Sequence, residues 1–144
     1  MFPEPFGLQE VTAASLSEIV TISRHIDARN VRSYMNSAPL RDLADPRTPP
    51  PTALEPGGQS LQRFVMDVQA AWDDRRSRIA VSGRDIYAIT APIVVEGCLR
   101  VLEHPPATGG AYAPGELYAA SSFLAALAPH LEITVSPGHC ARGP

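Results

Sequence analysis

Phe64-Val65-Met66-Asp67-Val68-Gln69-Ala70-Ala71-Trp72 is the stretch on which the fold reading turns. Phe64, Met66, Val68, Ala70 and Trp72 are apolar and alternate with Val65, Asp67, Gln69 and Ala71. Successive side chains of a strand point to opposite faces, so period two marks a strand. One apolar and one largely polar face is the pattern of an antiparallel strand with one side on a core. Asp73-Asp74-Arg75 then supplies a turn. Arg76 to Gly83 follows as a second strand, with Ile79 and Val81 expected to face in and Arg78, Ala80 and Ser82 to face out. The two strands form a β-hairpin, and the rest of the chain is read outward from it.

Toward the N-terminus, Ser15 and Glu18 have capping-box spacing before an apolar run. Leu16, Ile19, Val20, Ser23 and Ile26 recur at helical spacing and predict a helix over about 16–26. Val31, Tyr34 and Leu40 lie in a segment that reads as strand or irregular. Residues 44–58 contain Pro46, Pro49, Pro50, Pro51, Pro56 and Gly57-Gly58, which predicts a long loop with a short polyproline rod. The loop is either a plain surface connection or a proline-motif ligand.

Toward the C-terminus, Thr90 is the expected N-cap of a helix over about 91–103, because Pro92 is tolerated in a first turn. Ile93, Val94, Gly97, Cys98 and Val101 form its expected buried stripe, and His104-Pro105-Pro106 end it. Phe123, Leu124 and Leu127 mark a short helix, and Leu131, Ile133 and Val135 a final strand. The expected fold is α+β: an antiparallel or mixed sheet built around a hairpin at 61–83 and packed by about three helices. It reads as one domain over 1–136, with a proline-rich loop at 44–58 and a flexible tail at 137–144.

Composition narrows the function. The 144 residues carry a net charge of −3, with 44% hydrophobic and 19% charged residues. A chain of this length buries roughly two-thirds of its unfolded surface, without room for a cofactor domain beside a substrate domain. All 12 basic residues are arginine. Without lysine, neither a P-loop nor a Schiff base can form. The near-neutral charge argues against nucleic acid as partner, and no apolar run is long enough to span a membrane. Met1-Phe2-Pro3-Glu4-Pro5-Phe6 lacks the features of a signal peptide. Cys98 reads as a small buried hydrophobe, and Cys140 lies in the tail, so a cytoplasmic setting is expected. No nucleophile elbow is present, and His130, His139 and Cys140 lack a recognised zinc spacing, so no metal is expected.

A few polar groups could still serve a ligand. Arg24-His25 closes the first helix, where cations either complement the helix dipole or meet an anion. Arg84-Asp85 sits at a strand–helix junction, either as a local ion pair or with the arginine facing a ligand. Tyr87 is either a core tyrosine or a proton donor in a pocket, and Thr90 follows it.

The run Gly83-Arg84-Asp85-Ile86-Tyr87-Ala88-Ile89-Thr90-Ala91-Pro92-Ile93-Val94-Val95-Glu96 resembles the C-terminal half of bacterial saccharopine dehydrogenase-like reductases. Pro5-Phe6-Gly7 through Ser23-Arg24-His25-Ile26 is similar to the segment after that family's nucleotide-binding domain. The prolines at 49–51, Gln62-Arg63-Phe64 and Ser122-Phe123-Leu124-Ala125-Ala126-Leu127 also fit, so the likeness covers roughly residues 5–135. In that family an N-terminal Rossmann domain binds NAD(P), and a second α+β domain shapes the substrate pocket and often mediates dimerisation. The present sequence resembles the second part and lacks the glycine fingerprint of the first. The resemblance implies a substrate-side role for Arg84, Tyr87 and Thr90. It also implies that NAD(P) enters only if a partner chain supplies a Rossmann domain.

Three readings follow. The first is a separated substrate-binding and dimerisation domain of such an oxidoreductase, not competent for hydride transfer by itself and forming a homo-oligomer or joining a Rossmann-domain chain. The second is a cofactor-independent cyclase or isomerase in biosynthesis, holding an apolar small molecule over the sheet with Met66, Trp72 and Tyr87, the last as candidate catalytic residue. The third is a non-catalytic interaction module using the proline-rich loop or the exposed sheet.

Overall fold

The computed structural model describes residues 1–50, 52, 58 and 60–138. The elements in order are β1 (Val11–Ala13), α1 (Ser17–Ser23), β2 (Tyr34–Asn36), α2 (Ser37–Ala44), β3 (Arg63–Trp72), β4 (Arg75–Arg84), α3 (Thr90–Glu103), α4 (Pro114–Leu117), α5 (Ala120–Leu127) and β5 (Glu132–Gly138). The fold is α+β, and every described strand pair is antiparallel. Within the span expected as one domain, the described backbone gathers into two compact units. One comprises Met1–Gly7, Pro51–Ile93 and Leu127–Pro144 in their described parts, and the other Leu8–Pro50 and Val94–Ala126.

The first unit is built on the predicted hairpin. β3 and β4 pair from Arg63↔Arg84 to Trp72↔Arg75. The two-residue turn between them needs positive φ, and Asp73 adopts it at 49°. β5 adds to the other side of β4, with Ile79 opposite Val135 and Val81 opposite Ile133. Cross-strand partners share a face. Met66, Val81 and Ile133 therefore form one apolar row, and Val68, Ile79 and Val135 the next. The opposite face carries Asp67, Ala80 and Thr134 in one row and Gln69, Arg78 and Ser136 in another.

The expected inside and outside of this sheet are exchanged at its centre. Ala80, expected to face out, is 7% exposed, whereas Ile79 and Val81 are half-buried. The N-terminal loop is the cause. Phe2 N–H donates to Gly7 O at 2.8 Å, and Gly7 takes φ +59° to close the turn. Pro3 and Phe6 then share a shallow 40 Å³ depression with Val65, Ala80, Ser82 and Thr134. Small side chains at 80 and 82 let a backbone lie close. Two charges on this face pair with each other. Arg78 Nε and Nη2 donate to the two oxygens of Asp67 at 2.8 and 2.6 Å, and Nη2 also reaches Met1 O at 2.8 Å. The pairing with Asp67 raises the Arg78 pKa.

The end of β4 is fixed by one carboxylate. Asp85 takes φ +56°, and its N–H donates to Gln62 O at 2.7 Å. Its side chain accepts from Ser60 N–H at 2.8 Å, Ala88 N–H at 3.0 Å and Tyr87 N–H at 3.2 Å. The segment entering β3 and the segment leaving β4 are thereby tied together.

In the second unit, β1 and β2 pair through Val11↔Asn36, Thr12↔Met35 and Ala13↔Tyr34. Asn36 caps α2 by accepting from Ala38 N–H at 3.0 Å. The expected capping box of Ser15 and Glu18 does not form. Leu16 is the N-cap of α1, and the Glu18 carboxylate instead accepts from Ser33 Oγ at 2.5 Å. The helix is also shorter than 16–26, because bonds from Arg24, His25 and Ile26 to the last turn close it. α4 starts at Pro114, and Glu116 accepts from Ala113 N–H at 2.5 Å.

The stripe expected to be buried on α3 is not. Ile93, Val94 and Cys98 are exposed, while Glu96, Gly97, Arg100 and Val101 form its half-buried face. Thr90 is a helical residue that returns its hydroxyl to Ile86 O at 3.1 Å, rather than an N-cap. The buried face follows from two contacts. Tyr118 Oη donates to Gly97 O at 3.0 Å. Arg100 pairs with Glu96 at 2.6 Å, donates to Ser122 Oγ and O at 2.8 and 3.0 Å, and sits over the Phe123 ring. Phe123 in turn stacks on Tyr118 at 5.1 Å.

The proline-rich loop begins after α2, where Arg47 closes a turn on Asp45. Pro51 and residues 53–57 lie outside the described residues, as do His139, Cys140 and the tail from 139; β5 itself extends to Gly138.

Three amide bonds, led by that from Ser60, hold the Asp85 carboxyl below its ordinary value of 3.8. A depressed folded-state pKa stabilises the fold above the unfolded value and loses that effect as pH falls through the folded one. Asp85→Ala is expected to lower the urea midpoint at pH 6, with the difference from wild type shrinking as pH falls toward 3. Paired urea titrations across that range check it.

Candidate functional site

The junction secured by Asp85 shapes a cleft of about 260 Å³ within the first unit. Arg84, the last residue of β4, stands on one part of its rim. Ala88 and Ile89 come from the turn that follows, and Pro92 from the first turn of α3. Pro129 and His130 complete it from the turn after α5, where His130 N–H donates to Leu127 O at 2.9 Å. Ile89 is 6% exposed, so the wall it provides is firmly packed. The cleft thus combines an arginine and a histidine with four apolar side chains.

Of the residues singled out from sequence, Arg84 lines this cleft. Tyr87 is 73% exposed beside it in sequence, with its backbone N–H on Asp85. Thr90 spends its hydroxyl on Ile86 O. Met66 and Trp72 share the apolar face of the sheet, and that face is open: Met66 is 57%, Val68 52%, Trp72 49% and Val135 66% exposed. Arg24 and His25 belong to the other unit and hold α1 to α4. Arg24 donates to Ala111 O at 2.8 Å and pairs with Glu116 at 3.3 Å. His25 Nδ1 bonds Thr21 O at 2.8 Å, and its ring lies against Gly115.

Sequence reasoning passed over Ala88, Ile89, Pro92 and Pro129, and weighed His130 only as a metal ligand. Apolar and proline residues in turns carry no motif. Their convergence depends on β5 returning beside β4, a long-range pairing that local pattern does not reveal. Among the described residues no three histidine, cysteine or acidic side chains gather to hold a metal ion. No helix there is long and apolar enough to cross a membrane.

Comparison with protein-family models, with curated proteins and with solved structures found no match for this chain.

The Gly115–His25 contact gives a direct test of the second unit. A Cβ at 115 would overlap the imidazole. Because His25 is exposed and its ring is the far end of a flexible side chain, Gly115→Ala is expected to turn the ring aside at a cost below about 1 kcal/mol. A loss above about 2 kcal/mol by urea denaturation would show that the ring is held in place.

Proposed function

We propose that the chain is a substrate-binding and self-associating domain. It would match the second domain of the saccharopine dehydrogenase-like reductases that its motifs resemble, and its own residues would not carry out hydride transfer. The observation that supports this best is the outer edge of β3, ten residues long, beside the open apolar face of the sheet. Such an edge presents N–H and C=O groups to a further strand.

The composition of β3 favours a second copy as the partner. β3 is an edge strand of ten residues with no lysine or proline to discourage pairing. A two-fold interface requires a self-complementary patch. Paired antiparallel with itself about Val68, β3 would set Phe64 opposite Trp72 and Met66 opposite Ala70 of the second copy. The apolar face would continue across the axis, and Arg63 would meet Asp73 of opposite charge.

NAD(P) does not fit the described residues. A dinucleotide needs a glycine-rich strand–helix turn to cradle its pyrophosphate, and the turn at 85–89 is instead filled by the Asp85 carboxylate. The cleft of about 260 Å³ is also smaller than sites that hold even drug-sized ligands, about 300–1,000 Å³. A nicotinamide cofactor would therefore arrive with a partner chain's own nucleotide-binding domain.

Sedimentation equilibrium tests the association. The chain is expected at twice its monomer mass at micromolar concentration. Val68→Asp, which places a charge on the proposed axis at an exposed position, should weaken the dimer at least about tenfold, since a desolvated like-charge pair costs several kcal/mol. A wild-type chain that stays monomeric at 100 µM, on the order of a weak interface's dissociation constant, contradicts the proposal.

A further inference from the structure

The cleft at the β4–α3 junction carries a more specific conclusion. We infer that it binds a small carboxylate-bearing molecule with a short hydrocarbon body. The inference rests on the substrate-binding part of the reading above and is independent of the association.

The charge of the cleft comes first. The guanidinium of Arg84 is a permanent cation whose planar fork matches a carboxylate in a bidentate pair. The acidic neighbour in sequence does not neutralise it locally by bonding. Both oxygens of Asp85 are already taken by the N–H groups of Ser60, Tyr87 and Ala88. His130 stands on the same cleft and donates a ring N–H in either protonation state. Arg84 and His130 thus both line a cleft whose lining includes no acidic residue.

The remainder of the lining sets the rest of the ligand. Ala88, Ile89, Pro92 and Pro129 offer no side-chain donor or acceptor, and the two prolines lack a backbone N–H as well. A bare anion would leave these walls facing water, while a hydrocarbon body would cover them. A short-chain carboxylate such as hexanoate presents both features.

The test is a chemical-shift titration of the full chain with hexanoate, 1-hexanol and inorganic phosphate as separate probes. Hexanoate is expected to shift the amides of Ala88, Ile89 and His130 saturably. Hexanol, which lacks the charge, should bind at least about tenfold more weakly, the loss expected for one charge-assisted bond, and phosphate, which lacks the hydrocarbon, about threefold more weakly, because the cleft exposes little apolar surface. Arg84→Gln should weaken hexanoate at least about tenfold, and His130→Ala about threefold. Arg84→Gln lies outside β3's free edge, so it should sediment as wild type does, and its loss of hexanoate then reports on the cleft alone. A wild-type chain that is monomeric but still binds hexanoate supports the cleft and removes the association. The inference is overturned if hexanoate gives no saturable shift at these residues, if hexanol or phosphate matches it, or if Arg84→Gln binds it unchanged.

Discussion

The Asp85 carboxylate is the constraint on which the first unit depends. One acidic side chain, held in a left-handed backbone conformation, gathers amides from both sides of the hairpin: Ser60 ahead of β3, and Tyr87 and Ala88 after β4. Each of those donors would otherwise need water or another acceptor. Satisfying them together fixes the hairpin's open end and the turn that carries Ile89 into the core. Arg84 is left at the strand end, on the rim of the cleft that the same turn creates.

The sheet it secures is covered on an unusual side. The face bearing Asp67, Arg78 and Ala80 lies under the N-terminal loop, and the apolar rows of Met66, Val68, Ile79 and Val81 lie on the other side. Covering a charged face is tolerable because Asp67 and Arg78 meet in a two-bond pair and Met1 O takes a further donor. Leaving an apolar face open loses the burial that a two-layer fold normally gains. A second copy paired through β3 extends the sheet to six strands and satisfies the outward backbone groups of its edge, which is why association and fold are linked in this account.

The hairpin was legible because its signal is local: the alternation of Phe64 to Trp72, a two-aspartate turn and a second alternating run. α3, α5 and β5 were legible for similar reasons, from proline at a first turn and apolar spacing. Which side of the sheet is covered was not, since that depends on residues 1–7 reaching strands sixty residues away. Ser15-x-x-Glu18 has the form of a capping box, but Ser33 competes for the same carboxylate, and such tertiary competition is silent in a local pattern. The stripe on α3 was misplaced because its helix is apolar on several sides, so spacing alone does not select the face. The three-residue strands β1 and β2 are shorter than any periodicity can define. At the candidate site Arg84 was visible from its junction. His130 and the apolar walls were not, because they converge only through the return of β5.

Amide hydrogen exchange of β3 as a function of protein concentration tests the central claim, that the open sheet completes itself on a second copy. An edge strand protects half of its amides through β4, while the others face outward. The account predicts that the outward amides of Arg63–Trp72 become protected as concentration rises through the dimer range, while protection in β1 and β2 stays constant. Exchange along β3 that is independent of concentration would contradict it.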